Sequence, residues 1–308
     1  MTLNRKKITL AVLALLAIFL TWYLVIKEND YEINFKAKTA SATVYQGILD
    51  WAKSREKTEN EKFTVTEKKQ FTRLRQTMTS GQSVVEYNWT IKSINDTITT
   101  VKVGINNKNN KIWNRLLAPF GSKFTTNEIE KIKTFKSGLE EHLSNFKIGK
   151  VMEGSTADVF VAYITLETVM QEKAQIMMGS DNIIVGYLHN NKIPIVGKPI
   201  CEVLKLDLET EKMTFNYCFP IDKDTKYITD KNVKFKTITA KKGLKIDYFG
   251  NYRTSDRAWF KVIDYAKKQN IDLDMKPIEN YLSNPFDGGY ESEWKTTIVI
   301  PFKKLQGN

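Results

Sequence analysis

Histidine and cysteine are both scarce in this chain of 308 residues, which contains two of each. The histidines, His142 and His189, lie in different predicted domains, and neither has a cysteine or carboxylate at metal-ligand spacing. A Walker-type glycine loop is also lacking, since Gly288-Gly289 after Asp287 predicts a turn. The sequence therefore predicts no metal site, no cofactor and no catalytic residue of these classes.

The two cysteines, Cys201 and Cys218, are the only residues that can form a disulfide. Alternating apolar residues place them in a hairpin whose strands are joined by a four-residue loop at positions 209–212. In that register Cys201 faces Pro220 and Cys218 faces Val203, so the two sulfur atoms are diagonal neighbours. Two free thiols are therefore the favoured state, and an oxidised pair in an oxidising compartment is the alternative.

The formal net charge is +12, but its lysines are scattered along the chain. No zinc spacing, recognition-helix pattern or RNA-binding signature accompanies them, so nucleic acid is not an expected partner. A solvated basic face attracted to anionic lipid is the simpler interpretation of this charge.

The longest uncharged run is residues 8–26, which is long enough to cross a bilayer as a helix. Trp22 and Tyr23 lie near its far end, where amphipathic rings favour the membrane interface. Residues 1–7 include three basic side chains and are expected to stay in the cytoplasm. Everything after the short linker at 27–30 is then extracytoplasmic, which predicts a single-pass protein of the bacterial inner membrane.

A cleaved signal peptide is the alternative interpretation of the same segment. A small-x-small cleavage site is missing after the apolar run, because residues 21–24 are Thr-Trp-Tyr-Leu. An uncleaved anchor is therefore favoured.

Residues 31–150 mix strand and helix patterns. Positions 31–37 alternate as a half-buried strand, positions 41–53 predict a short helix, and alternating or β-branched runs at 63–65, 84–91 and 97–103 predict antiparallel strands. An amphipathic helix at 125–146 completes the domain. A sheet that curves around this helix leaves room for a cavity.

The same segment resembles the START-like, or polyketide-cyclase-like (SRPBCC), superfamily. The residues that carry the resemblance are Ala40 to Val44 at the start of the first helix, Asp50-Trp51 at its end, and the helix at 128–147. This resemblance implies a helix-grip α+β fold for residues 31–150.

Residues 151–308 show one order of elements twice, namely strand, helix, strand, strand. The predicted elements are strand 158–164, helix 168–178 and strands 200–208 and 213–219, followed by strand 244–248, helix 255–268 and strands 278–282 and 297–300. The pattern Lys-Pro-Ile-x-x-x-Leu also recurs, at 198–204 and 276–282. We therefore predict two repeats, at about 155–221 and about 235–304, that form one sheet with a groove between them.

Three motifs in the second repeat carry a further resemblance. They are Tyr248-x-Gly250-x-Tyr252, Pro-Ile-Glu-Asn-Tyr-Leu-Ser-Asn-Pro at 277–285, and Glu-Trp-Lys-Thr-Thr-Ile-Val-Ile-Pro at 293–301. With the duplication, residues 151–304 resemble the GyrI-like family, the effector-binding domain of many bacterial transcription regulators. The resemblance implies a groove that binds small, often lipophilic or cationic molecules through aromatic walls and a carboxylate. Thr297 stands where that family often has an acidic residue.

Seven residues are candidates for contacting a ligand: Glu202, Tyr217, Tyr248, Trp259, Glu279, Tyr281 and Glu293. Glu202 lies in line with apolar residues, where a charge must be paired, face a cavity or lie at a fraying strand end. Glu279 and Tyr281 share one strand face, and periodicity does not say whether that face meets the helices or the groove. Core packing is the alternative for the aromatic residues, and exposure to solvent is the alternative for Glu293.

The sequence thus predicts an α+β protein with an N-terminal transmembrane helix, a START-like helix-grip domain and a duplicated strand-helix-strand-strand GyrI-like domain. Its predicted function is non-catalytic binding of a small lipophilic or amphipathic molecule, and no oligomeric state is predicted. One alternative is a hydrolase that uses Glu202 with Tyr217, or Glu279 with Tyr281, as acid and base. The other is a scaffold whose grooves are filled by its own side chains.

Overall fold

A computed structural model describes residues 5–95, 97–228, 230–283 and 289–303 of the chain. The fold is mixed α+β and divides into two compact units. The N-terminal unit comprises residues 1–38, 44–92 and 99–139, and the C-terminal unit comprises residues 39–43, 93–98 and 140–308.

The chain begins with helix α1 (Arg5–Thr21), which continues into a wider π-helical turn, Trp22–Ile26. The stretch Lys7–Ile26 is long and apolar enough to cross a membrane, and none of its most apolar part is buried in the protein. It coincides with the predicted span at 8–26.

A five-stranded antiparallel sheet and three helices form most of the N-terminal unit. The strands are β1 (Tyr31–Ala37), β2 (Lys62–Lys69), β3 (Arg73–Ser80), β4 (Ser83–Asn95) and β5 (Ile98–Asn107), in the order β1-β5-β4-β3-β2. The helices are α2 (Ser41–Thr58), α3 (Lys111–Leu117) and α4 (Lys123–Ser144). Strand β1 has the predicted bounds, whereas α2 runs five residues further than the predicted helix at 41–53.

An aromatic cluster fills the space between this sheet and its helices. The rings of Trp89 and Phe135 are 5.4 Å apart, and Trp51 lies 6.0 Å from Trp89 and 5.7 Å from Phe135. These side chains come from β4, α4 and α2 respectively. Large rings thus occupy the place where the sequence leaves room for a cavity, and Trp89 is fully buried.

A nine-stranded sheet carries the C-terminal unit. Its strands are β6 (Lys147–Ile148), β7 (Met152–Ser155), β8 (Val159–Val169), β9 (Ile200–Leu206), β10 (Lys212–Pro220), β11 (Lys234–Ile238), β12 (Lys242–Phe249), β13 (Ile278–Tyr281) and β14 (Lys295–Pro301). The order is β11-β8-β10-β9-β13-β14-β12-β6, and β7 pairs with β12. The helices are α5 (Lys173–Asn190) and α6 (Asp256–Gln269).

The six central strands of the sheet are arranged symmetrically about its middle. Strand β10 lies between β8 and β9, and β14 lies between β12 and β13, with β9 and β13 adjacent at the centre. In each half, a helix follows the outermost of these strands along the chain.

The position of helix α5 differs from the predicted helix at 168–178. Strand β8 continues through Val169, a short 3₁₀ turn covers Met170–Glu172, and α5 begins only at Lys173. Thr168 pairs with Met213 of β10 and so belongs to the sheet rather than to the helix. Strand pairing decided the conformation of this β-branched residue.

The predicted hairpin register is also wrong. Cys201 pairs with Tyr217 and Cys218 with Ile200, because Met213 pairs with Leu206 rather than with Leu208 and a bulge between Thr214 and Phe215 then shifts the ladder by one more residue. The bulge reverses the predicted parity of β9, so that Cys201 is buried on the face shared with Tyr217. The two cysteines therefore point to opposite faces, and both are free and buried.

Candidate functional site

Strand β13 lies at the centre of the C-terminal sheet and has a different character on each face. Ile278 belongs to a buried apolar cluster with Ile200 and Cys218 on one face. Glu279 and Tyr281 point to the other face, which packs against α5 and α6. The parity that periodicity left open is thus settled, and the carboxylate lies beneath the helices.

Glu279 is wholly buried and is paired with a lysine. The Lys173 Nζ atom, from the first residue of α5, lies 2.5 Å from Glu279 Oε2 and donates to Ser255 Oγ at 2.9 Å. The lysine side chain is 2% exposed and the glutamate side chain 0%. A charge at such a depth is tolerated only when it is paired and hydrogen-bonded, and both conditions are met here.

Aromatic side chains complete the surroundings of this pair. Trp259 Nε1 of α6 donates to Glu279 Oε1 at 2.8 Å, and the Lys173 ammonium lies 4.5 Å from the centroid of the Trp259 ring. The Tyr281 hydroxyl donates to Glu279 Oε2, and burial, followed by the charge of Glu279, raises the pKa of Tyr281. We call Lys173, Ser255, Trp259, Glu279 and Tyr281 the Glu279 site. Its chemistry is that of a cation-binding site, with a carboxylate and an aromatic face around an ammonium.

A second carboxylate lies further along the same sheet face. Tyr217, two pairing positions from Glu279 through Cys201, donates its hydroxyl proton to Asp181 Oδ1 of α5 at 2.7 Å. Burial raises the pKa of Asp181, and the hydrogen bond from Tyr217 offsets this only in part. Burial also raises the pKa of Tyr217.

A buried hydroxyl next to the Glu279 site lacks a hydrogen-bond partner. Thr296 is 0% exposed, and its Oγ1 atom makes no hydrogen bond within the part of the chain that the structure describes. Thr296 pairs with Tyr281 on one side and with Tyr248 on the other. A buried hydroxyl without a hydrogen-bond partner is uncommon in folded proteins.

The other predicted site residues lie elsewhere. Glu202 points to the opposite sheet face, where it accepts hydrogen bonds from Lys236 and from Asn216 Nδ2, the latter at 2.8 Å. Tyr248 is buried and exchanges a hydrogen bond of 2.6 Å with Thr254 Oγ1. Glu293 is exposed in a short helical turn. The structure thus brings together Trp259, Glu279 and Tyr281, with Tyr217 and Tyr248 at the flanks, and separates Glu202 and Glu293 from them.

Sequence reasoning missed Lys173 and Ser255. A lysine is normally assigned to a solvated face, and the predicted helix at 168–178 gave Lys173 no special position. The signal was nevertheless present, because Lys173 lies on the buried stripe of α5 with Met177, Ile184 and Leu188. A charged residue on an apolar helical stripe requires a buried counter-charge.

The N-terminal unit contains a separate cavity of about 190 Å³ on the face of its sheet away from the aromatic cluster. Its polar lining includes Glu28, Glu32, Arg73, Arg75, Asn88 and Lys102. These charges pair with one another: Lys102 binds Glu32 at 2.7 Å and Arg75 binds Glu28 at 3.3 Å. Across residues 5–95, 97–228, 230–283 and 289–303, no group of three histidine, cysteine or acidic side chains is arranged to hold a metal.

Comparison with known proteins gives fold likenesses only. No family model matches the sequence, and no curated protein matches it. Among solved structures, the EcmrR C-terminal domain is 16% identical, with 51% of this chain and 99% of that chain covered at a TM-score of 0.41. SAV2435 bound to tetraphenylphosphonium is 13% identical, with 51% and 96% covered at 0.36, and a hydrolase from Listeria innocua is 11% identical, with 53% and 97% covered at 0.34. At these identities and TM-scores the likenesses carry no assignment of function.

Proposed function

We propose that this chain is a membrane-anchored, non-catalytic protein that binds a small amphipathic cation at the Glu279 site. In the state described, the Lys173 ammonium occupies the position of the ligand cation and holds the site closed. One observation carries the proposal: a fully buried carboxylate is neutralised by an ammonium that lies over a tryptophan ring.

Each contact of Lys173 in the site is one that a foreign cation also makes. A carboxylate, a hydroxyl and an indole face are satisfied by any ammonium of suitable size. Lys173 is the first residue of α5 and carries its charge on four methylene groups, so its head group can move without unwinding the helix. A ligand with an apolar body also gains about 25 cal/mol for each Å² of apolar surface that it buries. This additional free energy of binding is what allows the ligand to displace the lysine.

The proposal includes the predicted duplication of this unit. The mirrored strand order and the position of one helix in each half support the inference that β8 to β10 and β12 to β14 are copies of one unit. The Glu279 site then lies where the copies meet, since β9 and β13 are neighbours, and Lys173 and Trp259 come from the helices of different copies.

Membrane anchoring through Lys7–Ile26 is part of the same proposal. The three basic residues at positions 5–7, at the start of the helix, support a cytoplasmic N-terminus, and in this proposal both units lie outside the cytoplasm. The N-terminal unit, whose predicted START-like fold remains part of this proposal, then follows the anchor along the chain and connects it to the ligand-binding unit.

Complete burial of Glu279 favours a second candidate, a scaffold whose site is permanently filled by Lys173. The predicted hydrolase pairs are less well supported. Glu202 and Tyr217 lie on opposite sheet faces, and both oxygen atoms of Glu279 already accept hydrogen bonds.

Chemical rescue separates ligand binding from the scaffold. Lys173→Ala removes three methylene groups and the ammonium, so n-propylammonium is the missing fragment. With the full chain in detergent micelles, we expect n-propylammonium to raise the thermal midpoint of Lys173→Ala in a concentration-dependent manner. The neutral isostere n-butane is insoluble, so n-propanol serves as the uncharged control and is expected to have little effect.

Two matched variants complete the experiment. Lys267→Ala removes an exposed lysine from α6 and should not respond to n-propylammonium. Lys173→Ala/Glu279→Gln should lose the response, because the carboxylate is gone. Wild type should be stabilised by an amphipathic cation such as tetraphenylphosphonium. A wild type that is insensitive to such cations, together with a Lys173→Ala variant that n-propylammonium does not stabilise, would establish the scaffold instead.

A further inference from the structure

Helix α3 of the N-terminal unit buries polar side chains and exposes apolar ones. The side chains that it buries are polar, namely Asn114 at 7% and Arg115 at 0% exposure. Apart from Lys111, its exposed side chains and that of Phe120 in the short turn after it are large and apolar: Ile112, Trp113, Leu116, Leu117 and Phe120, at 54%, 66%, 37%, 46% and 85% exposure. We call these five residues the α3 patch. The spacing of Ile112, Trp113, Leu116 and Leu117 places them on one side of α3, and Phe120 extends this apolar surface in the short turn that follows.

The α3 patch is held beside the end of the apolar N-terminal helix. Arg115 donates from Nη1 to the Tyr23 carbonyl at 3.1 Å and from Nη2 to the Lys27 carbonyl. Its Nε donates to Asp30 Oδ1 at 2.8 Å. In return, the Tyr23 hydroxyl donates to the Arg115 carbonyl at 2.9 Å. These bonds connect α3 to the last turn of the apolar stretch without a flexible joint.

The surface of that last turn continues the character of the α3 patch. Trp22, Val25 and Ile26 are 47%, 62% and 67% exposed. Lys111 and Lys123, both exposed, flank the patch on either side in the sequence. Apolar side chains with a tryptophan, bordered by lysines, are typical of a helix that lies in the interface of a membrane with anionic lipids.

We infer that residues 111–120 lie in the lipid interface of the membrane that the N-terminal helix enters, with the α3 patch among the acyl chains next to that helix. The inference rests on the membrane anchoring in the proposed function. The helix and the α3 patch then contact the same leaflet at two points, and the Arg115–Asp30 pair keeps the N-terminal unit in one orientation above it.

Fluorescence quenching tests the inference on the full chain in vesicles of phosphatidylcholine and phosphatidylglycerol. The emission of Trp113 is the difference between wild type and Trp113→Phe, a conservative change at an exposed position. We expect most of this emission to be lost when the lipids carry bromine on their acyl chains near the headgroup. We also expect acrylamide in the water to have little effect on it.

The remaining results would each overturn the inference in a recognisable way. Quenching of Trp113 by acrylamide but not by bromine would place the α3 patch in water. Protection from both quenchers, relieved when the protein is diluted in lipid, would show that a second copy of the chain covers the patch. Buried Trp89, measured through Trp89→Phe, supplies the reference that neither quencher reaches.

Trp22 distinguishes failure of this inference from failure of the anchor. If Trp22, measured through Trp22→Phe, is quenched by bromine and Trp113 is not, the helix spans or enters the bilayer while the α3 patch stays outside it. If neither is quenched and the chain does not float with the vesicles, the membrane anchoring itself is wrong.

Discussion

Among the described residues, each unit contains an ion pair whose side chains are at most 2% exposed, and the two pairs are built differently. In the N-terminal unit, Arg115 and Asp30 are both 0% exposed. The guanidinium also donates to the carbonyl groups of Tyr23, Lys27 and Glu28. In the C-terminal unit, Lys173 binds only side chains, as described above for the Glu279 site. Arg115 is therefore held largely by main-chain carbonyl groups, whereas Lys173 is held by side chains that another cation can also bind.

The choice of cation agrees with this difference. A guanidinium offers five donors in a rigid fork, which suits several acceptors at once, whereas an ammonium is a compact charge on a flexible stem. An alkylammonium cannot reproduce the forked contacts of Arg115, but it can reproduce those of Lys173. The comparison therefore assigns a structural role to the first pair and supports an exchangeable role for the second.

Arg115→Met is expected to have the largest effect. It should lower the free energy of unfolding of the N-terminal unit by about 4–5 kcal/mol, the upper end for breaking a buried ion pair, since it also leaves carbonyl groups without donors. Urea titration followed by hydrogen exchange of amides in that unit measures the loss. Arg115→Lys should recover little of it, because an ammonium cannot reach all of these acceptors. Full recovery by lysine would remove the distinction between the two pairs.

Lys173→Met should cost about 3 kcal/mol in the C-terminal unit, because Glu279 is left buried without a counter-charge. In contrast to the first pair, the double variant Lys173→Met/Glu279→Met should regain most of that stability, since apolar groups of similar volume replace both charges. Arg115→Met/Asp30→Leu should not, because Asp30 also accepts from the Asn107 amide at 2.9 Å. A double-mutant cycle on each pair gives the measurement. Equal recovery in both cycles would contradict the proposed difference.

Much of the fold was predictable because local pattern and tertiary context agree. Strand β1 and helix α6 were predicted within one residue or less, since each combines a clear period with a defined end. Strand β3 was missed because its buried positions include Gln76, which interrupts the apolar alternation. The pairing of β10 with β9 was mispredicted in part because of a bulge, which no short sequence pattern indicates.

The candidate site was predictable in part for the same reason. Trp259, Glu279 and Tyr281 stood out as chemistry-bearing residues in predicted helix or strand. Lys173 did not, because its meaning depends on where α5 begins, and the strand pairing of Thr168 decides that. A residue whose partner lies 106 positions away acquires its role only through the fold. The duplication and the domain boundaries remain predictions.

One carboxyl group in each unit should make stability depend on pH, with opposite signs in the two units. Each group should change the free energy of unfolding by less than about 1 kcal/mol. Burial alone would raise the pKa of Glu61, but hydrogen bonds from Arg55 and Lys131 outweigh it and lower that pKa. Its contribution is thus present at neutral pH and is lost as the pH falls through the lowered value. Asp181 has a raised pKa, so its contribution is present in acid and is lost as the pH rises.

Two variants test these opposite signs. Between about pH 7 and pH 3, Glu61→Gln should flatten the acid loss of stability in the N-terminal unit, and Asp181→Asn should steepen it in the C-terminal unit. Urea midpoints read by hydrogen exchange in each unit give both slopes. If both variants change the slope of stability against pH in the same direction relative to wild type, the environments of Glu61 and Asp181 do not differ as described.

The smallest expected effect concerns the reactivity of the two thiols. It tests whether the ion pair of Lys173 and Glu279 opens in the folded protein. Burial raises the pKa of both Cys201 and Cys218, so each should react slowly with iodoacetamide. Cys201 pairs with Glu279, whereas Cys218 lies on the opposite sheet face. If Lys173 leaves the Glu279 site in a minor state, Cys201 becomes accessible before Cys218 does, and the Cys218→Ser variant should be labelled faster than Cys201→Ser. Equal labelling rates that match global unfolding would mean that Lys173 is as firmly fixed as Arg115.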